Sequence, residues 1–311
     1  MSYGCHIAKN SHILSSPNKK RKTILEAIQK DTEYMKLGCA QIFVQGPRNS
    51  HMAIIEHEEI VEYCNIRKIN LYVHSSYITV GIFSINPTNK NTEKSKTAIT
   101  NLLNQLEICD KLKSRGFVIH LSKKTPDEII EAMSVIIPLI KSYKTPIVFE
   151  QPAKKPDDLK TYETAEKINK LTELIMLKFP KFNNWYWCID TCHLWSAGIE
   201  LNNIRIIEKW IADIKYPKKI GLFHLNGGSS DIFNTGKDKH IVPFSNDDDI
   251  WKNIFNVSKK INNAVYKKSS IYPIIQFCKK NNIDSILEIN RGSVDDIYFV
   301  FHILNILFNL H

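Results

Sequence analysis

Short apolar runs rich in β-branched residues alternate along the chain with longer stretches of helical period. The runs predict strands at 3–7, 40–44, 71–74, 116–120, 147–150, 185–190, 220–224 and 285–288. Between them, apolar residues recur at the spacing of one helix face over 19–37, 51–68, 93–114, 126–142, 161–179, 203–214, 267–281 and 294–309. A short apolar strand followed by an amphipathic helix is a parallel β/α unit. Eight such units in 311 residues predict an α/β fold, a (β/α)8 TIM barrel, as a single domain over 1–311. An open doubly wound sheet is the alternative, but no Gly-rich phosphate fingerprint follows the first strand. Polar stretches at 86–96 and 227–249 follow strands, on the face where barrel enzymes place their working loops.

The strand endings change the picture. Leu71-Tyr72-Val73 runs into His74, Phe117-Val118-Ile119 into His120 and Ile147-Val148-Phe149 into Glu150. Cys188-Ile189 runs into Asp190, with His193 three residues on; Leu222-Phe223 runs into His224 and Ile286-Leu287 into Glu288. One polar residue at a strand end only marks where the chain leaves the core. Six in order are a different matter, because in a parallel barrel all of them meet at the C-terminal mouth. Carboxylates and imidazoles crowded there without a cation would repel or stay unsatisfied. Together they are the ligand set of zinc and related ions. The loop after His224 adds Asp238-Lys239-His240. The candidate ligands are then His74, His120, Glu150, Asp190, His193, His224, Asp238, His240 and Glu288. A single zinc takes about four ligands, so this set implies more than one ion. Two or three metals point to hydrolysis of phosphoryl esters.

Composition adds direction. With 43% hydrophobic and 24% charged residues the chain is an ordered globular one, not a disordered one. Its net charge of +10 and pI near 9.1 favour a polyanionic partner. Seven scattered cysteines, an odd number, fit reduced thiols in an intracellular, reducing setting, with Cys188 and Cys192 as small buried residues beside the ligands. The N-terminus lacks the apolar core of a signal peptide, and the apolar stretch 297–310 is too short to span a bilayer. No membrane role is expected, and a monomer is. Lys19-Lys20-Arg21-Lys22 matches a nuclear import signal, but a solvated helix start after Pro17 is the preferred reading. His6, on the first strand, is placed in the core or behind the ligands.

At these residues the chain resembles the endonuclease IV family of apurinic/apyrimidinic (AP) endonucleases. Cys188-Ile189-Asp190-Thr191-Cys192-His193 and Phe223-His224-Leu225-Asn226 carry the likeness most strongly. Asp238-Lys239-His240, Leu287-Glu288-Ile289-Asn290 and His74-Ser75-Ser76-Tyr77 add to it, in order, over nearly the whole chain. Ile42-Phe43-Val44-Gln45-Gly46-Pro47-Arg48 and Leu194-Trp195-Ser196-Ala197-Gly198 look closest to the version carried by large cytoplasmic DNA viruses such as African swine fever virus. A viral source would place the protein in the host cytoplasm, the virion or the nucleus.

The resemblance implies three zinc ions. His74, His120 and Glu150 would hold the first; Glu150 would bridge to a second, completed by Asp190, His224 and Glu288; His193, Asp238 and His240 would hold the third. It implies base excision repair: hydrolysis of the phosphodiester 5′ to an abasic site in double-stranded DNA, leaving a 3′-hydroxyl and a 5′-deoxyribose phosphate. Glu288 and Glu150 would, on this resemblance, be the catalytic carboxylates, with Glu288 orienting the attacking water. By the same likeness Arg48, Tyr77 and Ile78 would enter the DNA stack, and wedging apolar groups into a duplex fits a flipped nucleotide. Lys123, Lys124, Lys237 and Lys239, in the mouth loops, would meet phosphates, and Asn226 is placed among the DNA contacts.

The chain departs from the family in two places. Gly227 stands where the family often has Asp after His-Leu-Asn, and residues 241–249 replace a Gly-rich turn. Two competing readings remain. One is a divalent-metal sugar isomerase or epimerase of the xylose isomerase type; the other is a DNA-binding protein without activity. The ligands His193, Asp238 and His240 and the positive charge speak against the first, and the complete ligand set against the second.

Overall fold

The computed structural model describes residues 1–7, 23–46, 48, 52–53, 55–121, 123–154, 160–251, 267–288 and 294–309, with only the backbone of 294–298 and 308–309. Strands and helices alternate: β1 (Tyr3–His6), α1 (Ile24–Met35), β2 (Cys39–Phe43), α2 (His57–Arg67), β3 (Asn70–His74), α3 (Glu93–Lys111), β4 (Gly116–His120), α4 (Pro126–Ile140), β5 (Ile147–Glu150), α5 (Ala165–Lys178) and β6 (Trp185–Asp190). There follow α6 (Thr191–Ser196), α7 (Ile204–Ala212), β7 (Ile220–His224), α8 (Ile271–Asn281), β8 (Asp284–Leu287) and α9 (Val294–Asn309). Every strand pairs in parallel with its neighbour in sequence, and β8 pairs with β1, so the sheet closes as an eight-stranded barrel.

The predicted strands agree with the observed ones to within a residue or two; Glu288 stands one residue beyond the end of β8. Helix starts differ more. The basic run 19–22 lies outside the described residues, and α2 begins at His57 rather than near 51. Side-chain oxygens set several of these starts. Thr23, Thr92, Thr125 and Thr164 each accept the backbone N–H three residues on, at 3.1–3.3 Å. At α4, Glu128 returns the bond to the Thr125 N–H, and Pro126 occupies the first turn, where it forgoes no hydrogen bond. Two elements were not expected: α6, and a 3-10 segment at Tyr77–Ser84 whose apolar sequence has no helical period.

Burial divides the core in two. Outward strand residues such as Val73, Phe117, Phe149, Ile189 and Phe223 pack beneath the helices. Cys39, Tyr72, Val118, Val148, Cys188, Leu222 and Ile286 form a separate cluster inside the barrel. Gly4 belongs to the tight β1–β2 contact, since a Cβ there would lie 1.8 Å from the Cys39 carbonyl oxygen. At the opposite end from the ligands, Asp284 is buried and accepts from the Ser2 N–H (2.7 Å), the Asn70 amide (2.7 Å) and the Tyr72 hydroxyl (2.9 Å). It ties β8 to β3 and to the residue before β1 across the barrel floor. Asp284→Ala is expected to cost about 2–3 kcal/mol, because it strands buried donors. Urea unfolding of the metal-free protein measures this, and a loss below about 0.5 kcal/mol would dismiss the tie.

Candidate metal centre

Side chains on a strand repeat direction every second residue. Two positions beyond each member of the interior apolar cluster, the same face turns polar. Tyr72 is followed by His74, Val118 by His120, Val148 by Glu150, Cys188 by Asp190, Leu222 by His224 and Ile286 by Glu288. Gly4 and Cys39 are followed by His6 and Gln41. Each strand thus sends one polar side chain to the mouth.

Glu150 stands at the centre, with no solvent exposure. Its Oε2 lies 3.3 Å from the Nε2 atoms of both His74 and His120, while Oε1 lies 3.1 Å from Nδ1 of His224. Its two oxygens therefore face two different sets of ligands. One set is His74, His120 and Glu150; the other is Glu150, Asp190, His224 and Glu288, and in each the ligand atoms lie within 4.8 Å of one another. The third set depends on β6 and α6. Asp190 ends the strand, and its Oδ1 caps the helix by accepting the His193 N–H at 3.0 Å. One turn of helix then returns the His193 ring to the mouth. Its Nε2 lies 3.4 Å from Asp238 Oδ1, and His240 Nε2 lies 3.1 Å from the same oxygen.

These groups have the geometry of metal ligands. A peptide carbonyl only accepts, so it fixes which ring nitrogen carries the proton. His74 Nδ1 donates to the Ser75 carbonyl (2.8 Å), His193 Nδ1 to that of Gln151 (2.7 Å) and His240 Nδ1 to that of Glu288 (3.0 Å). Each Nε2 is thereby turned inward, and it is the atom that offers a lone pair to a metal once any second proton has left. Those of His193 and His240 are buried without a hydrogen-bond partner, although carboxylate oxygens stand nearby. Buried imidazole nitrogens that approach carboxylates without hydrogen-bond alignment point at a shared position between them. A divalent cation there satisfies both kinds of ligand.

A family profile described as "Xylose isomerase-like TIM barrel" matches residues 32–266. The chain belongs to this family. It is similar to the "Probable AP endonuclease" of African swine fever virus, at 29% identity over 82% of this chain and 79% of the relative. Among solved structures it is similar to "The crystal structure of AsfvAP:AG", with TM-score 0.81, 23% identity and 98% of each chain covered. It also matches endonuclease IV from Thermus thermophilus, with TM-score 0.65, 17% identity and 98% and 99% of the two chains covered.

In this xylose isomerase-like barrel several side chains missing from the expected site hold the ligands. Gln41 bridges His224 and Glu288. Gln151 braces the backbone of Asp190 by donating to its carbonyl (2.8 Å) and accepting its N–H (3.1 Å). Position on the inward face would have found Gln41; nothing local marks Gln151. Asn226 requires a correction. It was expected to touch DNA, but it is fully buried, its amide donating to Asp190 Oδ2 (2.7 Å) and its oxygen accepting the Glu288 N–H (2.8 Å). It orients two ligands instead.

The departures at 227–249 also find a physical reason. Gly227 pairs with Ile241, and a Cβ on it would fall 2.9 Å from the Asp248 carboxylate. That buried carboxylate accepts from the backbone of Gly228, Phe244, Ile250 and Trp251 at 2.7–3.3 Å. Asp248 thus closes the loop carrying Asp238 and His240, and Gly227 leaves the space. Burial outweighs the four donors and raises the Asp248 carboxyl to about 7.

At the rim, Tyr77 is 45% and Ile78 37% exposed, and the Tyr77 ring lies 5.6 Å from that of His120. Arg48, Lys123, Lys237 and Lys239 are exposed. Lys124 pairs with Glu128 (3.0 Å) and Lys239 with Asp231 (3.5 Å), so a phosphate would compete for these two. All seven cysteines are buried, and among the described residues no helix is long and apolar enough to cross a membrane.

Crowding shifts the titrations. Burial works against a charge on His224, but Glu288 and Glu150 outweigh it and carry the ring up to about 9. His240, likewise buried, is carried to about 10 by Asp190 and Asp238. Burial would raise Glu288, yet His224 and His74 hold it down to about 2. In His120 burial prevails over Glu150, and its value falls to about 4. At neutral pH, therefore, protons on His224 and His240 do part of the work of a cation. Ligation requires those protons to leave, so metal affinity falls as pH falls. Burial also works against a charge on His193, but Asp190 and Asp238 outweigh it and hold the ring well above its usual value. Zinc added to metal-free protein at pH 7.5 is therefore expected to release at least two protons, from His224 and His240, with His193 adding to them. Calorimetry in buffers of different ionisation enthalpy counts them, and no release would contradict the assignment.

Proposed function

We propose that this chain is a zinc-dependent AP endonuclease of base excision repair, with double-stranded DNA containing abasic sites as its substrate. The observation that carries the reading is the pair of ligand groups joined through Glu150, with His193, Asp238 and His240 adjoining them beside Asp190. The names of the relatives support the substrate. The proposed reaction is hydrolysis of the phosphodiester 5′ to the abasic site: the water hydroxyl goes to phosphorus, and its proton ends on the departing 3′ oxygen. The products are a 3′-hydroxyl and a 5′-deoxyribose phosphate.

Three zinc ions fit the ligands. His74, His120 and Glu150 would hold one; Glu150, Asp190, His224 and Glu288 a second; His193, Asp238 and His240 a third, on the side of the leaving oxygen. When bound, zinc supplies Lewis acidity, making water acidic near neutral pH and steadying charge on phosphoryl oxygens. Glu288 is the carboxylate placed to hold and orient the attacking water. Its side chain is 13% exposed, against none for Glu150, and its Oε2 faces the cluster 3.3 Å from His224 Nδ1. Tyr77 and Ile78 would fill the space of the flipped nucleotide, with Arg48 beside them. Lys123 and Lys237 are the better placed of the four lysines for phosphate, since neither forms an ion pair among the described residues.

Purified protein is expected to contain close to three zinc ions and to nick a duplex bearing one abasic site, as metal analysis and a gel assay determine. One bound ion, no incision and interconversion of ketose sugars would instead favour an isomerase or epimerase. Glu288→Gln is expected to retain duplex binding while lowering incision by about 10²–10⁴-fold. Turnover equal to wild type would remove Glu288 from the chemistry.

A further inference from the structure

Gln41 lies on β2, fully buried, on the inward face beside the ligands but not among them. Its amide meets three partners at once. The nitrogen contacts Glu288 Oε1 (2.5 Å) and His6 Nδ1 (3.1 Å), and the oxygen contacts His224 Nε2 (3.0 Å). Exchanging amide oxygen and nitrogen would set oxygen against the Glu288 carboxylate. An ionised carboxylate only accepts, so the nitrogen must face Glu288. The oxygen is then left for His224 Nε2, which must donate. Consequently, once the second proton of His224 leaves for a metal, the lone pair falls on Nδ1, the atom facing Glu150 Oε1, Glu288 Oε2 and Asp190 Oδ2 at 3.1, 3.3 and 3.7 Å. The remaining amide hydrogen goes to Nδ1 of His6, whose ring packs on Phe43 with centroids 4.5 Å apart.

We infer that Gln41 is the positioning residue of the second metal position: one amide turns Nδ1 of His224 and Oε2 of Glu288 toward it together. His224 is thereby set apart from His74, His193 and His240, whose Nδ1 atoms are held by carbonyls and which present Nε2. A backbone carbonyl cannot perform both tasks, because it has nothing to donate to Glu288. A glutamine can, and its chain is long enough to reach both from the adjoining strand. This rests on the metal reading above and adds to it the means by which one position is built.

Long-range proton–nitrogen spectra of zinc-loaded, 15N-histidine-labelled wild-type protein test it without any variant. The expected pattern is His224 protonated on Nε2 and ligating through Nδ1, with His74, His193 and His240 the reverse. Gln41→Met keeps the volume and removes all three hydrogen bonds, those to His224 and Glu288 and the one to His6. In this variant one zinc dissociation constant is expected to rise about 10–100-fold while the others hold, as for other groups that orient a metal ligand. Thermal unfolding of the metal-free variant reports whether it folds. Zinc bound by wild type with His224 ligating through Nε2, or held as tightly by a folded Gln41→Met protein, overturns the role of Gln41 alone. A wild-type protein that takes up no zinc overturns the metal reading and this inference together.

Discussion

Closure of the barrel forces one inward residue from each strand into a single small space at its mouth, and here those residues are polar. Around the fully buried Glu150 stand His74, His120 and His224, with Asp190 and Glu288 beside them. Such a set cannot be left to itself. Two carboxylates a few ångströms apart raise each other's energy, and buried imidazoles without partners lose the hydration they had in water. Without metal, protons on His224 and His240 supply the missing positive charge. With metal, cations do so and the protons leave. The barrel is a frame built to hold an arrangement that would otherwise disperse.

The frame works by occupying the outer atom of each ligand. Carbonyls take Nδ1 of His74, His193 and His240; Asn226 takes one oxygen of Asp190, and the N–H of His193 takes the other. Each of these three rings retains Nε2 directed inward, Asp190 keeps further lone pairs on its two oxygens, and most of their rotational freedom has been lost on folding, before any ion arrives. Rigidity is distributed unevenly. The first two groups stand on strands, whereas the third combines a one-turn helix with the loop after β7. That loop is held by one antiparallel bridge, Gly227 to Ile241, and Asp248 reinforces it by gathering four backbone N–H groups under Gly227.

Much of this was legible in the chain. The strands follow from apolar runs of the right length, and the ligands from the polar residue that ends each run, because parallel closure brings these ends together whatever lies between them. What escaped was the set of residues that act on ligands rather than as ligands. Gln41 and Gln151 carry no charge and sit in ordinary contexts. Their partners lie 183 and 39 residues away, and only the folded barrel brings them together. Asn226 was misread for a related reason. An amide next to a metal-ligand motif suits a surface contact as well as a buried brace, and only burial distinguishes them. The 3-10 segment after β3 lacked the period by which helices are recognised, although Thr79, Ile82 and Phe83 are buried.

The barrel alone does not choose a substrate, for its family includes proteins likened to xylose isomerase. A sugar enters a closed pocket and is met by a few hydrogen bonds, whereas a duplex must be met by an open rim that can replace a stacked base. Here the rim exposes Tyr77 and Ile78 in sequence, an aromatic and an aliphatic side chain, the Tyr77 ring standing by those of His120 and His74. Exposure of both is unfavourable in water, and burial between bases would remove it. The third ligand group points the same way. It adds Asp238 and His240, from the loop after β7, to His193 beside Asp190, so the ligands extend over more of the mouth than a single ion needs. That shape suits a phosphodiester, whose attacked phosphorus and departing oxygen both need positive charge, better than a sugar whose proton moves between adjacent carbons.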